Sequence, residues 1–498
     1  MNRNYRILLT FLIICATATT CFCQLADTIP PSSTPNAPAV GDTASGVLLT
    51  IGDVTITGYK KTKSYIIERE IPFKQGDYML RSELQAKLVL AKQQLMNTTL
   101  FVDVDVNAQE VAGAAFVNIS IKERWYLFPL PYFKMVDRNF NEWWVQNKRS
   151  LQRVNYGLKF SQNNVSGRND KLNIWIFGGY TKQVSFRYEN PFIDKYLKHG
   201  INLGFAYSNN REVNYVTDSN KQRFLKDPDQ FLAQTMSIDL GYSYRPAIKT
   251  RHNFRVSYTD LQVKDTVIMR NPKFFPAGLN RVRLADISYT IQHYNVDYIP
   301  YPLKGFHGEA TLYKRFGNHT GLWQLRGSGG YSFKVAPKSY MLLQAVGSVR
   351  VPFHQAYFTT RMFGGGDFYM RGLEYYVTEG VVGGIFRATA KREVLSFSIN
   401  NPIGGKTHNK IPFRVFVKAY GDVGYSYLPN TQRHYLRAVD EPPRLVSQPV
   451  YTFLNNKWLH TKGIGIDVIT FYDVVLKFEY SFNQFGSSGL FFHTKSDF

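Results

Sequence analysis

The chain has 498 residues, of which 44% are hydrophobic, 15% aromatic and 19% charged, and it carries a formal net charge of +23. No segment after the N-terminus approaches the roughly 18 consecutive apolar residues that a membrane helix needs, which excludes a helical membrane protein. All three cysteines lie at Cys15, Cys21 and Cys23, so the rest of the chain has neither a disulfide framework nor a thiolate metal site.

Residues 1–23 read as a secretory signal. Arg3 and Arg6 give the positive start, residues 7–14 the apolar core, and Cys21-Phe-Cys23 a small-x-small cleavage site. Lipoprotein processing at Cys21 or Cys23 is disfavoured, because the usual upstream Leu is missing. The mature chain therefore works outside the cytoplasm. Residues 24–46 are Pro, Ser, Thr and Ala with almost nothing to bury, as in a disordered tether. The positive charge falls almost wholly after residue 124. In a cytosolic protein that would suggest nucleic acid. Behind a secretory signal it points instead to a cation-rich lumen or to loops facing anionic lipid headgroups, with no nucleic-acid partner.

Residues 47–124 predict one α/β module. Val54 and Ile56 mark a strand ending at Gly58, and Thr62 is expected to cap a helix running to Glu70. A turn follows at Gln75-Gly-Asp77. Ser82 then opens a second helix whose Leu84, Leu88, Ala91 and Leu95 form one apolar stripe. Strands over 102–106 and 116–121, turning at Gly113, complete a β-α-α-β-β order.

Residues 125–498 alternate. Leu476, Phe478, Tyr480 and Phe482 share one face, and Lys477, Glu479, Ser481 and Asn483 the other. This is the pattern of strands between lipid and a wet lumen, a transmembrane β-barrel. Strands are placed to start near 125, 152, 170, 183, 199, 234, 251, 281, 304, 321, 338, 384, 412, 461, 473 and 487, about sixteen in all, an even number as expected. Short turns near Pro191, Pro246, Pro300, Pro337 and Pro402 belong on the side of the N-terminal module. Long connections (134–151, 209–233, 263–280, 353–383, 427–460) belong on the other. The first strand contains Pro129 and Pro131, which lack an N–H, and the last is expected to be interrupted from Gly486 to Gly489. Closure between them should be weak, a lateral seam.

Arg361-Met-Phe-Gly-Gly-Gly-Asp-Phe-Tyr-Met-Arg-Gly-Leu-Glu374 holds three consecutive glycines and an Arg-Gly pair, marks of a backbone that turns tightly and approaches other groups closely. In Tyr420-Gly-Asp-Val-Gly424, Asp422 lies on the polar face of a strand, where a lumenal charge needs a partner. Arg371 is the expected one. Together with the order of elements in 47–124, Asn97-Thr-Thr-Leu-Phe101 and Glu123-Arg124, these motifs resemble the outer-membrane assembly and secretion superfamily of BamA, TamA and the two-partner secretion transporters. The resemblance implies one POTRA domain before a sixteen-stranded barrel. It implies an inward-folding loop locked through Gly364, Gly365, Gly366, Arg371, Gly372 and Asp422. It also implies that the terminal Phe498 serves as an assembly signal. Leu373 stands where the family has an aromatic, and Ala390-Lys-Arg392 lacks the Glu of its Glu-x-Arg strand motif. The implied setting is a Gram-negative outer membrane with the POTRA domain in the periplasm. The implied partners are the lipid bilayer, unfolded polypeptide clients and accessory lipoproteins.

Catalysis finds no support. The ten histidines show no pair at metal spacing, and neither a Gly-x-Ser-x-Gly elbow nor a phosphate loop is present. The chain reads as a non-enzyme without cofactor or metal, inserting or translocating polypeptide. The alternatives are a passive channel, a lipid-handling barrel, or an adhesin acting through loop 427–460.

Overall fold

The computed structural model describes residues 47–135, 154–317, 319–364, 368–401, 410–429, 435–437, 447–449 and 453–494. The expected signal (1–23) and tether (24–46), together with Gly365, Gly366 and Phe498, lie outside the described residues.

The N-terminal module comprises β1 (Leu48–Thr57), α1 (Ser64–Glu68), β2 (Tyr78–Leu80), α2 (Arg81–Asn97), β3 (Phe101–Val111) and β4 (Ala114–Glu123). Its sheet order is β2-β1-β4-β3, with β1 and β4 parallel. The stripe Leu84, Leu88, Ala91 and Leu95 shares one core with Leu49, Ile51, Val104, Ile119 and Ile121. Strand β2 adds to the expected order; three residues between a glycine turn and a helix carry too little alternation to show in sequence. Thr62 does not cap α1. The N-cap is Lys63, without a side-chain bond. The Thr62 hydroxyl is instead engaged by Asn164 Nδ2 at 2.9 Å and the Tyr126 hydroxyl at 3.2 Å. Tertiary partners outcompete the local cap.

Sixteen further strands form one antiparallel sheet. They are β5 (Leu127–Met135), β6 (Val154–Asn163), β7 (Lys171–Gly179), β8 (Thr181–Asn190), β9 (His199–Asn210), β10 (Ala233–Tyr244), β11 (Thr250–Val263) and β12 (Arg281–Val296). Then come β13 (Gly305–Phe316), β14 (Leu322–Ala336), β15 (Ser339–Val351), β16 (Val382–Asn400), β17 (Lys410–Tyr427), β18 (Trp458–Ile469), β19 (Val475–Asn483) and β20 (Ser488–His493). Every start falls close to its expected position. Most strands reach the roughly 9–11 residues that a tilted strand needs to cross a bilayer.

Register fixes the two faces. Phe186, Phe205, Ile238 and Tyr258 lie directly opposite one another across β8 to β11 and are all exposed on the apolar outside. One residue out of phase, Arg187, Gly204, Asp239, Ser257, Asp286 and Arg315 form a lumenal row from β8 to β13. Charges there are paired: Asp239 Oδ1 accepts from Arg187 at 2.9 Å and Arg255 at 2.7 Å, and Asp286 from Arg315 at 2.9 Å.

The short turns meet the module. Lys63 N donates to Gly167 O (3.0 Å), and Arg69 Nε to Leu197 O (2.9 Å). Arg245 grips buried Glu70 at 2.6 and 3.0 Å, Ile299 N donates to Asn97 (2.9 Å), and Arg124 pairs with Asp473 (2.7 Å).

Glu123, the last residue of β4, accepts from Thr62 N at 2.7 Å and Lys61 N at 3.0 Å. Burial works against its charge, but these hydrogen bonds outweigh it and hold the carboxyl below its usual range. A depressed folded pKa contributes stability above the unfolded value of about 4.3 and loses it as pH falls through the folded value. Protease cleavage of segment 58–63 should therefore accelerate on acidification below about pH 4 in the native chain. Glu123→Gln should show that fast cleavage already at pH 7; equal, pH-independent rates in both would remove this role.

Candidate functional site

The described parts of loop 352–381, residues 352–364 and 368–381 between β15 and β16, descend into the lumen, and the tip meets the facing wall at Asp422 on β17. The Arg371 guanidinium donates from Nη2 at 2.5 Å and from Nε at 3.1 Å to Asp422, whose Oδ2 also accepts from Arg371 N at 3.1 Å. Nη1 donates to the Thr389 hydroxyl on β16 at 3.0 Å, and the guanidinium carbon lies 4.0 Å from the centre of the Tyr420 ring. Both charged groups are buried, Arg371 at 7% and Asp422 at 1% exposure. Arg387, opposite Asp422 in register, places Nε 3.9 Å from the same carboxylate and donates to Tyr369 O.

Gly372 follows with φ +83°, and a Cβ there would stand 2.9 Å from Ser481 on β19. Both the conformation and the approach require glycine. Asn483 Nδ2 donates to Gly372 O at 3.0 Å, so the tip is also fastened to the penultimate strand. Gly364 has φ +90° and turns the loop against Tyr376 and Val377. Leu373 joins Met362, Phe363, Phe368, Met370, Ile385, Leu454 and Leu459 in an apolar cluster, an aliphatic anchor in place of an aromatic one.

The outer loops form a cap, which the sequence did not reveal. A hairpin of Glu212–Asp218 and Lys221–Lys226 turns at Asn220, which is fully buried. Its side chain donates to Val377 O (2.9 Å) and accepts from Phe453 N (2.7 Å) and Leu454 N (3.1 Å). Val377 N donates back to Asn220 O at 2.7 Å. One asparagine thus joins three outer connections. Phe274, Phe275, Val267 and Tyr357 pack in one cluster with Val213 of the hairpin. Only an Asn in a turn marks this position, and such residues are too common to single out.

At the ends of the sheet, β5 pairs only with β6 and β20 only with β19; among the described residues no ladder joins β5 to β20. Tyr126 O accepts from Asn163 N, so the even-numbered residues of β5 face β6 and the odd-numbered ones face the seam. Pro129 and Pro131 therefore remove two donors from the seam edge itself. Gly486 requires a correction: it lies in the β19–β20 turn with φ +75°, and β20 is uninterrupted though only six residues long. Gly489 is its second residue, opposite Ser481. The β5 end of the sheet is tied to the β18–β19 turn by Trp125 N to the Tyr472 hydroxyl (3.1 Å) and by the Phe128–Tyr472 ring contact. Beside the seam the lumenal face carries an aromatic patch around one cation. Tyr132, Trp175 and Phe177 surround the Lys159 ammonium, which lies 4.6–5.6 Å from their rings.

Residues 49–124 match the POTRA family model, described as a surface antigen variable number repeat. No curated protein matches the chain. Among solved structures, BamA from Haemophilus ducreyi lacking POTRA domains 1–3 aligns at TM-score 0.47 and 14% identity, over 90% of this chain and 83% of that one. CdiB from Acinetobacter baumannii aligns at 0.46 and 12%, over 88% and 70%. CdiB from Escherichia coli aligns at 0.44 and 10%, over 94% and 92%. The architecture expected from sequence, a POTRA domain followed by a sixteen-stranded barrel, is borne out by the family match and by the sheet itself.

Removing one partner of a buried ion pair strands the other, at a cost of roughly 3–5 kcal/mol. Arg371→Ala and Asp422→Ala should each undock the loop, and Arg371→Lys should behave nearer to alanine, since an ammonium cannot span Asp422 and Thr389 together. Protease cleavage within 364–381 of the folded barrel reads this directly. Wild-type resistance in Arg371→Ala would show that the pair does not hold the loop. Asn220→Ala should loosen the cap and raise single-channel conductance in planar bilayers; unchanged conductance would mean that the cap does not close the outer mouth.

Proposed function

We propose that the chain is an outer-membrane factor that inserts or translocates polypeptide, its POTRA domain in the periplasm and its lumen gated by the Arg371 loop and the β5–β20 seam. The observation that carries this reading is the seam. The sheet order ends at β5 and β20, with no ladder between them among the described residues, and the missing donors of Pro129 and Pro131 weaken that edge. An unpaired edge is a template for another strand. In β20 the residues out of phase with the Asn483 N to Ser487 O bond, Ser488, Leu490 and Phe492, direct their backbone groups toward the seam. A client strand has a partner there.

Two further features support the reading. Strand β3 is an edge of the POTRA sheet, eleven residues long, with β4 on one side only. An extended client can add to such an edge through backbone hydrogen bonds, without a fixed sequence. The aromatic lumenal patch around Lys159, next to the seam, offers apolar cover to side chains of a segment moving from lumen to lipid. A passive channel fits less well, because steady conduction does not call for a loop fastened across the lumen at Asp422 and Asn483. Accessory lipoproteins remain partners by resemblance alone.

The test is a quantitative inventory of outer-membrane and secreted proteins after depletion of this chain, with complementation by a variant whose β5 and β20 are joined by a disulfide. Loss of a defined set of proteins, restored by wild type but by the cross-linked form only after reduction, is the expected result. An unchanged inventory with altered small-solute uptake would establish the channel instead. Full rescue by the cross-linked form would retain insertion or transport but remove the seam from it.

A further inference from the structure

Three side chains that can each offer a metal-ligand atom converge below the loop tip without hydrogen-bonding one another. His493, on the lumenal face of β20, places Nε2 3.6 Å from Glu374 Oε1 and 3.5 Å from Glu479 Oε2. Glu374 belongs to the loop, three residues beyond Arg371, and Glu479 to β19. One donor atom from each lies within 4.8 Å of the other two. Both Glu374 oxygens, Glu479 Oε2 and His493 Nε2 have no protein hydrogen-bond partner. The Glu479 side chain is only 3% exposed. It is a buried carboxylate with one oxygen on Lys418 Nζ (2.6 Å) and the other aimed into the cluster.

The distances discriminate. At 3.5–3.6 Å these contacts exceed a charged hydrogen bond, which closes to about 2.7–2.9 Å. Two ligands on one tetrahedral zinc, with bonds of about 2.0–2.2 Å, stand about 3.4 Å apart. Both spacings to His493 are compatible with groups sharing an ion, and the Glu374 and Glu479 oxygens lie within 4.8 Å of each other. The neighbouring carboxylates are already matched, Asp422 by Arg371 and Asp467 by Lys418 at 2.5 Å. Glu374 approaches the imidazole, and neither of its oxygens has a hydrogen-bond partner. A lumenal cavity of about 240 Å³, lined by Tyr369, Arg371, Lys418, Glu479 and His493 among others, reaches the cluster and gives an ion a route in. The Tyr369 ring lies 5.4 Å from that of His493 and shields one side.

We propose that Glu374, Glu479 and His493 form a transition-metal site. Imidazole nitrogen with two carboxylates suits zinc, and the open side toward the cavity leaves a fourth position for water. Sequence spacing did not reveal it, because the ligands come from a loop and two strands and are joined only by the fold. The ion fastens the inward loop to the last two strands of the barrel. It thereby holds in place β20, whose free edge borders the seam, and adds an attachment to those made by Arg371 and Gly372. The site stands on its own geometry and does not depend on the transport reading.

The test uses the full chain, folded in detergent and stripped with chelator, in equilibrium dialysis against zinc. Wild type should retain one equivalent more than Glu374→Gln or His493→Ala, each checked for folding by heat-modifiable migration. Cobalt should give the intense visible absorption of a tetrahedral site in wild type alone. Zinc should also slow protease cleavage within 364–381 in wild type and not in His493→Lys, in which a fixed positive charge replaces the ligand. Equal zinc uptake by wild type and variants would mean adventitious binding and overturn the site. So would a His493→Lys loop as resistant as zinc-loaded wild type, which would reveal an ion-paired histidine.

Discussion

The buried contact between Arg371 and Asp422 is the interaction on which the interior depends. A charged pair at 7% and 1% exposure is tolerated only when each partner fully satisfies the other, because the desolvation of either alone is severe. Here the carboxylate receives the guanidinium and the loop's own backbone N–H, while Thr389 and Tyr420 occupy the remaining guanidinium surface. The pair therefore fixes not only a side chain but the path of the backbone. Gly372 makes the turn that the path demands, Leu373 drops into the apolar cluster, and Glu374 is carried to the last two strands. A lysine or a shifted glycine would not reproduce this, since neither fork geometry nor a left-handed turn is available to the substitute.

A sheet of sixteen strands can hide its two edges only by joining them. Among the described residues the join is made at the bottom, where Trp125, Phe128 and Arg124 engage Tyr472 and Asp473, and no ladder runs along the strands. The cylinder is held instead by what it contains and what it touches. The POTRA domain grips five short turns, the cap ties long connections through Asn220, and the loop bridges β16, β17 and β19 across the lumen. Stability is thus distributed away from the seam, which leaves that edge the element whose pairing can change with least disturbance elsewhere. Both prolines of β5 point their missing donors to it, and the same alternation sends Leu127, Pro129, Pro131 and Phe133 toward lipid.

The periodicities carried most of the architecture. Strand positions were legible because lipid and water act on alternate residues of every strand, so local pattern and global environment agree. The Arg371–Asp422 pair was legible for a similar reason: a lone Asp on a lumenal face requires a cation, and a glycine-rich loop can deliver one. Thr62 was misread because its local pattern suits an N-cap, while the actual hydroxyl partners are Tyr126 and Asn164, remote in sequence. Gly486 was misread because turn and bulge glycines look alike until the register of β19 and β20 is known.

The sequence by itself determined the β-barrel, its strand count, its sidedness and the helical stripe of the POTRA domain, all consequences of side-chain period and turn chemistry within short windows. Only the tertiary structure decided which way Pro129 and Pro131 face, that Asn220 joins three outer connections, and that Glu374, Glu479 and His493 meet. Those facts depend on strand register and on loop trajectories through the lumen. Such distances are set by the whole cylinder, and no local pattern encodes them.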